Sequence, residues 1–368
     1  MTVNYNFRLY QWIRLSRWLS LIFFVYSGTG CRQATPEEIS LVWSGKQATG
    51  ILIPGSLVES REEAIKDLQV FLQTSKTPML GEYATAKEGI RFIPLIPLSP
   101  GKQYEVFFKK KRIGRLSVPL PDTADAPELV ALYPSGDTLP GNLLKIYLLF
   151  SSPMREGEAL RHIYLLDEHN DTVPDVFLDL QPELWNEERT ALTVWLDPGR
   201  IKRGLIPNQR LGNPLKAGAR YTVVVNDSWK NGSGLPLKQV FTKSFFVAGR
   251  DDASPQPGQW QMRLPSAGTL QPLQIEFNEP LDLFLVQETL QVVNEQGTVQ
   301  GHITLINKET GCSFQPVHPW QAGRYRLQVA AYLEDLAGNN LNKLFDRDVT
   351  RQPKKEEAVV ERAFVIRP

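Results

Sequence analysis

Pro214-Leu-Lys-Ala-Gly218-Ala-Arg-Tyr221 reads as a turn that runs straight into a strand, and the chain carries this phrase three times. The other copies are Pro97-Leu-Ser-Pro-Gly101-Lys-Gln-Tyr104 and Pro319-Trp-Gln-Ala-Gly323-Arg-Tyr325. After each tyrosine an apolar residue returns at every second position: Tyr104, Val106, Phe108; Tyr221, Val223, Val225; Tyr325, Leu327, Val329. A period of two places those side chains on one face of a half-buried strand. Three copies of one β-type unit predict three similar domains in series.

Length and composition agree with that reading. A chain of 368 residues accommodates three domains of about 100 residues each. The 27 prolines and 26 glycines fall between the apolar runs, as turn-rich β proteins require. Lys plus Arg number 41 against 40 Asp plus Glu. That balance gives no electrostatic basis for binding nucleic acid, which is excluded as an expected partner.

The first domain is expected over residues 38–121, with strand-length segments at 40–43, 49–53, 68–72, 90–93, 103–108 and 112–118. Residues 57–66 are expected to make a helical turn or two, and 122–127 form the next linker. The second domain, 128–250, is expected to use strands at 129–133, 145–150, 163–166, 173–178, 191–196, the Tyr221 strand and 241–247. The third, 257–368, repeats the order with 273–277, 290–293, 303–306, the Tyr325 strand and 363–366. Phe150-Ser-Ser-Pro153-Met154 and Phe277-Asn-Glu-Pro280-Leu281 end a strand in the same way, because proline cannot donate to the ladder. Short strands with turn signals between them predict two-layer antiparallel sandwiches.

Residues 144–154 with 214–225, and 273–281 with 320–329, resemble the bacterial Ig-like domain first described in S-layer proteins, the SbsA type. The third domain continues into Glu334-Asp-Leu-Ala-Gly-Asn339, a turn common in that family, and Lys230-Asn-Gly-Ser-Gly234 stands at the same place in the second. The first domain shares the Pro-Leu-x-x-Gly-x-x-Tyr element and lacks the Phe-x-x-Pro phrase. The resemblance covers about two thirds of the chain and implies fold and cell-envelope residence, not a reaction. The expected fold class is therefore all-β: three tandem Ig-like antiparallel β-sandwiches after an N-terminal signal segment.

Arg8, Arg14 and Arg17 precede the uncharged run Trp18-Leu-Ser-Leu-Ile-Phe-Phe-Val-Tyr26, which meets Ser27-Gly-Thr-Gly-Cys31. A basic start, a short apolar stretch and small residues at the exit describe a secretory signal peptide over 1–30. Left uncleaved, the same run would be a short membrane anchor. The segment ending at Cys31 resembles the lipobox of bacterial lipoproteins, which implies acylation of Cys31, with 31–37 as lipidated residue and tether. That implies attachment to a membrane through the N-terminal lipid, at the outer membrane on its periplasmic face or the cell surface. Cys312 is the other cysteine, so no intrachain disulfide is expected and it reads as a small core residue.

Each repeated tyrosine, Tyr104, Tyr221 and Tyr325, sits where the tyrosine corner of Greek-key sandwiches places its phenol, bonded to upstream backbone. The third copy is one residue shorter, which counts against that bond. The second domain carries an insertion, Asp197-Pro-Gly-Arg200-Ile-Lys-Arg-Gly204-Leu-Ile-Pro-Asn-Gln-Arg210. Arg200, Lys202, Arg203 and Arg210, with Asp197, make it a candidate loop for an anionic ligand or glycan. The plain alternative is a long connection pinned by Asp197 with solvated charges.

Asp335 with Asn339, and Asp227 with Asn231, offer oxygens in turns, yet no dense acidic array is present, so Asx turns are expected and no metal. The four histidines are scattered, and neither a nucleophile elbow nor a phosphate loop occurs, so neither enzyme activity nor a cofactor is expected. Trp185, Trp229 and Trp260 are candidates for carbohydrate stacking or for packing at domain seams. The function expected is a non-catalytic envelope lipoprotein that presents its modules to an envelope protein or glycan, or serves as a spacer. The alternative is a carbohydrate-binding accessory protein with a site in its sandwich loops.

Overall fold

The computed structural model describes residues 38–45, 47–58, 61–346 and 357–368. The signal segment, Cys31 and its tether lie outside the described residues. Among the described residues the chain is almost entirely β, in six sheets, and its contacts divide it into two compact units. No helix among the described residues is long and apolar enough to cross a membrane.

The first unit centres on Gly50–Ile96 and Glu105–Leu116. One sheet runs Ser40–Ser44, Gln47–Pro54, Gly89–Pro94, Gly81–Ala86, and a second runs Leu68–Leu72, Gln103–Phe108, Lys111–Ser117. Ile51, Ile53, Val70, Ile90, Phe92 and Val106 are buried from alternate strand positions. A 3-10 turn over Gly55–Leu57 and a helix over Arg61–Asp67 take up the expected helical segment.

The second unit includes Ser117–Pro368 and holds two sandwiches. In the second sandwich one sheet runs Leu184–Trp185, Ala191–Trp195, Lys145–Phe150, Leu129–Tyr133. The other runs Ile163–Leu166, Arg220–Val225, Phe241–Val247, Thr138–Leu139. Leu148 and Leu192 from one sheet and Val223 and Phe245 from the other share a core with Trp229. The third sandwich pairs Gln261–Arg263, Leu273–Glu276, Gly311–Pro316, Gly301–Ile306 with a sheet of Gly297–Thr298, Leu290–Asn294, Gly323–Ala330, Val359–Ile366. Its core includes Leu273, Phe314, Trp320, Tyr325 and the free thiol of Cys312, whose pKa burial pushes up to about 12.

All three tyrosine phenols accept a hydrogen bond from backbone upstream: Tyr104 from the Ser99 amide at 2.7 Å, Tyr221 from Lys216 at 3.2 Å, Tyr325 from Gln321 at 3.2 Å. The glycine before each, Gly101, Gly218 and Gly323, has φ of 71°, 86° and 154°, where a β-carbon is strained. In the third copy the phenol also donates to the Gln321 carbonyl at 3.0 Å, so the shorter phrase closes one residue tighter instead of losing the bond. Leu98, Leu215 and Trp320 plug the same place under the turn and are each buried.

The structure corrects three expectations. The segment 173–178 is not a strand: Pro174 has no amide to donate and Asp175 has φ of 50°, leaving only a bridge between Phe177 and Leu196. Trp229 and Trp260 are not exposed platforms, being 0% and 2% accessible inside their own sandwiches. The third domain also contains a helix, Leu283–Thr289, that strand periodicity did not anticipate.

Replacing Tyr221 with Phe removes one buried hydrogen bond and should cost about 1 kcal/mol, read as a lower urea midpoint at unchanged slope. The Tyr104→Phe and Tyr325→Phe proteins should behave alike. Three midpoints equal to that of the parent would show that the corners carry no weight.

Candidate functional site

The second and third sandwiches meet along a polar seam built around Asp282. This residue caps the helix Leu283–Thr289: its Oδ1 accepts from the Phe284 and Leu285 amides, each at 3.1 Å. That turns Oδ2 toward the second sandwich, where it accepts from Lys145 Nζ at 3.1 Å and from the Tyr147 hydroxyl at 2.5 Å. Lys145 also meets Glu334 at 2.7 Å. Asp282 is 3% accessible, so neither partner is replaceable by water. Burial alone would lower the lysine's pKa; the carboxylates of Asp282 and Glu334 more than reverse this and leave it raised. Burial, then the Asp282 charge, pushes the Tyr147 phenol up.

The Glu334-Asp-Leu-Ala-Gly-Asn339 turn supplies the rest of the contact. Leu336 offers its carbonyl to the Leu144 amide at 2.9 Å. Gly338 has φ of 80°, and a β-carbon there would lie 2.4 Å from the Leu144 side chain, so only glycine fits. Asp335 is a closed Asx turn, its Oδ1 accepting from the Ala337 and Asn339 amides at 2.8 and 2.9 Å. A second buried carboxylate, Glu309, accepts from the Ser135 amide at 2.7 Å and from its hydroxyl at 2.6 Å. It is presented by a run of three left-handed residues, Asn307, Lys308 and Glu309 with φ of 54°, 56° and 64°. Strain of that kind persists only where surrounding contacts hold it.

Residues 251–257, which join the second and third domains, are part of the seam. The Asp251 carbonyl accepts from the buried amides of Asn142 at 2.9 Å and Asn339 at 3.0 Å, one from each sandwich. Leu336 and Phe345 of the third domain pack against the second core. These two domains are therefore not separately sealed, because their facing surfaces complete one another.

The insertion folds into two short helices, Pro198–Ile201 and Ile206–Leu211. Asp197 caps the first through the Gly199 amide at 2.8 Å. Arg200 is 6% accessible, and its guanidinium donates to the carbonyls of Pro174 at 2.8 Å, Asp175 at 3.0 Å and Gly212 at 3.2 Å. Lys202 lies 4.1 Å over the Phe345 ring. Arg203 pairs with Asp346 at 2.7 Å and Asp252 at 3.3 Å. Arg210 is exposed on the last turn of the second helix. Three of the four cations are thus spent on the protein's own carbonyls, ring and carboxylates.

A cleft on the second sandwich was not foreseen. It holds about 170 Å³ between the turn at 157–161, the segment 178–184 and strand Ala191–Trp195. Glu183 ties its walls together, with Oε1 accepting from the Ala159 amide and Oε2 from the Trp185 indole, each at 2.7 Å. Leu160, Leu178, Leu180 and Val194 line the inside, while Glu158, Arg161, Asp179 and Gln181 stand around it. The Lys145 ammonium lies 5.4 Å over the ring of Trp195, its register partner on the adjacent strand and another lining residue.

Asp251, Glu279 and Asp335 bring one carboxylate oxygen each within 4.8 Å of one another. Burial, followed by the charge of Asp251, raises the pKa of Glu279 to about 7. Burial likewise raises Asp335 to about 8, with Asn339's hydrogen bonds opposing the shift and the charges of Asp251 and Glu279 adding to it.

No protein-family model matches the chain, and no curated protein sequence does. Among solved structures, it is similar to Escherichia coli alpha-2-macroglobulin spanning domains MG0-NIE-MG1, at 13% identity and TM-score 0.22, over 55% of this chain and 66% of that one. It is similar to a tandem of titin domains at 11% identity and TM-score 0.24, over 73% and 82% of the two chains. The chicken CNTN1 FN1-FN3 domains align at 12% identity and TM-score 0.18, over 90% and 98%. At such scores the fold rests on the sheets described above.

Asp282→Ala should cost about 2–4 kcal/mol, since it leaves Lys145 with Glu334 alone, takes the acceptor from the buried Tyr147 hydroxyl and uncaps a helix. Asp252→Ala, which breaks the exposed pair with Arg203 and a longer one with Arg250 at 3.8 Å, should cost under about 1 kcal/mol. Equal urea midpoints for the two would remove Asp282 from its place at the centre of the seam.

The raised carboxylates also set a pH dependence. From the ordinary values of 3.8 and 4.5 up to about 8 and 7, the folded protein binds protons that the unfolded chain has released. Stability contributed by these groups is therefore greatest near pH 4 and falls as pH rises to about 8. Thermal melts from pH 5 to 8.5 should show this decline, and the Glu279→Gln, Asp335→Asn protein should show less of it. An unchanged slope in that variant would assign the decline elsewhere.

Proposed function

We propose that this protein is a non-catalytic cell-envelope lipoprotein, anchored through lipid on Cys31, that presents its sandwich domains at the outer membrane. The domains are read as SbsA-type Ig-like modules, facing the periplasm or the cell surface, with an envelope protein or a glycan as partner. The observation that carries this reading is the seam. Lys145 held between Asp282 and Glu334, and Asp251 held between Asn142 and Asn339, lock two modules into one body. A body of that kind keeps a binding surface at fixed geometry, which suits display. The lipobox-like segment before Cys31 and the polar tether after it support attachment to a bilayer.

A second reading, that of a carbohydrate-binding accessory protein, is favoured by the cleft on the second sandwich. Its wall residues combine apolar and hydrogen-bonding groups, the mixture a small polar ligand needs. The insertion, whose cations are largely engaged, then serves to brace the seam.

Metabolic labelling with an alkyne analogue of palmitate tests the anchor. The parent protein should take up label and sediment with membranes, and Cys31→Ser should lose both. A parent that sediments unlabelled would mean an uncleaved apolar anchor in place of the lipid.

A further inference from the structure

The cleft has the size, lining and charge to select a ligand class. An apolar cavity of about 150 Å³ is enough to hold one benzene, so a cleft of about 170 Å³ admits a single six-membered ring. The lining mixes aliphatic side chains, Leu160, Leu178, Leu180 and Val194, with polar ones, and the aliphatic part suits the C–H face of such a ring. Asp179, Gln181 and Arg161 are exposed and Glu158 half-buried, which places both acceptors and donors where hydroxyl groups would leave the apolar surface.

The wall is also built before any ligand arrives. Glu183 bonds the Ala159 amide across the cleft with one carboxylate oxygen, while its other oxygen is held by the neighbouring Trp185 indole, so this strut between two walls is in place without a ligand. Charge decides between sugar types. Three carboxylates, Glu158, Asp179 and Glu183, line the cleft against the one guanidinium of Arg161. That excess repels a uronate or a sulfated sugar and leaves acceptors for the hydroxyls of a neutral one.

We propose that this cleft binds one neutral sugar residue, presented at the end of a glycan or as a branch. The inference rests on the carbohydrate-binding reading of the protein and names the ligand class of that site. Binding to so small a ring is expected in the millimolar range.

The test is saturation-transfer NMR on the full chain in a sugar-free zwitterionic detergent. Glucose, galactose, mannose and N-acetylglucosamine are the neutral probes, and glucuronate is the charged control. At least one neutral sugar should receive saturation, and glucuronate should not. Leu180→Trp fills the cleft and should weaken binding by about tenfold or more, as should Asp179→Ala at the exposed rim. Leu205→Trp, on the exposed insertion, should bind like the parent, and unchanged melting temperatures would confirm that the variants fold.

Silence from all four neutral sugars, stronger transfer to glucuronate, or undiminished binding in Leu180→Trp would each overturn the proposal. Palmitate labelling separates this from the anchor. Label without sugar binding removes the cleft site and leaves an anchored display protein; sugar binding without label removes the anchor and leaves the cleft.

Discussion

A buried carboxylate has to be answered by donors, and Asp282 is answered from two directions at once. One oxygen caps the helix Leu283–Thr289 and the other reaches Lys145 and Tyr147 on the neighbouring sandwich. The helix cap fixes the orientation of the carboxylate, and that orientation fixes where the second sandwich must dock. Phe284, in the first turn of the same helix, packs edge-on against the Tyr147 ring at 4.8 Å, so the apolar and the ionic parts of the seam share one register. Removing water from such a group costs several kcal/mol, and the arrangement is stable because each donor is already held, two by the helix and two by a strand.

The same constraint explains a sequence motif that otherwise looks like an ordinary turn. Glu334-Asp-Leu-Ala-Gly-Asn339 places a carboxylate on Lys145, a carbonyl on the Leu144 amide, a glycine beneath Leu144 and an amide on the linker carbonyl. Four consecutive functions of one turn serve the contact between domains, not the fold of the third domain alone. The counterpart in the second domain, around Asn231, closes on the Leu235 amide at 2.9 Å and bonds Pro153 and Arg155 of its own sandwich. A shared phrase thus does different work depending on what lies across from it.

The repeated tyrosine phrase and its period-two strands were legible in the sequence because both are local: a glycine with positive φ, a phenol four or five residues from its donor, alternate buried positions. The burial of Cys312 was legible for the same reason. The seam was not, because Lys145 and Asp282 are separated by 137 positions and nothing near either one announces the other. Asp282 did carry a signal, since an Asp before Leu-Phe-Leu-Val reads as a helix cap, but β periodicity on both sides masked it. The insertion was legible in part: Asp197 pins it, as its plain reading has it, but the partners of its cations were not visible. Clustered cations in sequence suggest an anion, whereas Arg200 faces carbonyls and Arg203 faces Asp346, partners that only the fold brings near. The cleft was invisible because its walls come from three segments, each unremarkable alone.

The two candidate surfaces of the second sandwich end with opposite electrostatics, and the seam accounts for the difference. The third domain brings Asp346, together with the linker's Asp252, to the basic insertion and neutralises it from outside. On the cleft, Glu158 and Asp179 keep no such partner cation among the described hydrogen bonds and ion pairs, and Glu183 is used as a strut. Trp195 stands between the two regions, with Lys145 of the seam over its ring and the cleft beside it. That wall is held by the second domain itself, since Lys145 and Trp195 are register partners on adjacent strands, and the third domain acts there only by holding the lysine's charge. The insertion, by contrast, is closed by carboxylates from outside its own sandwich.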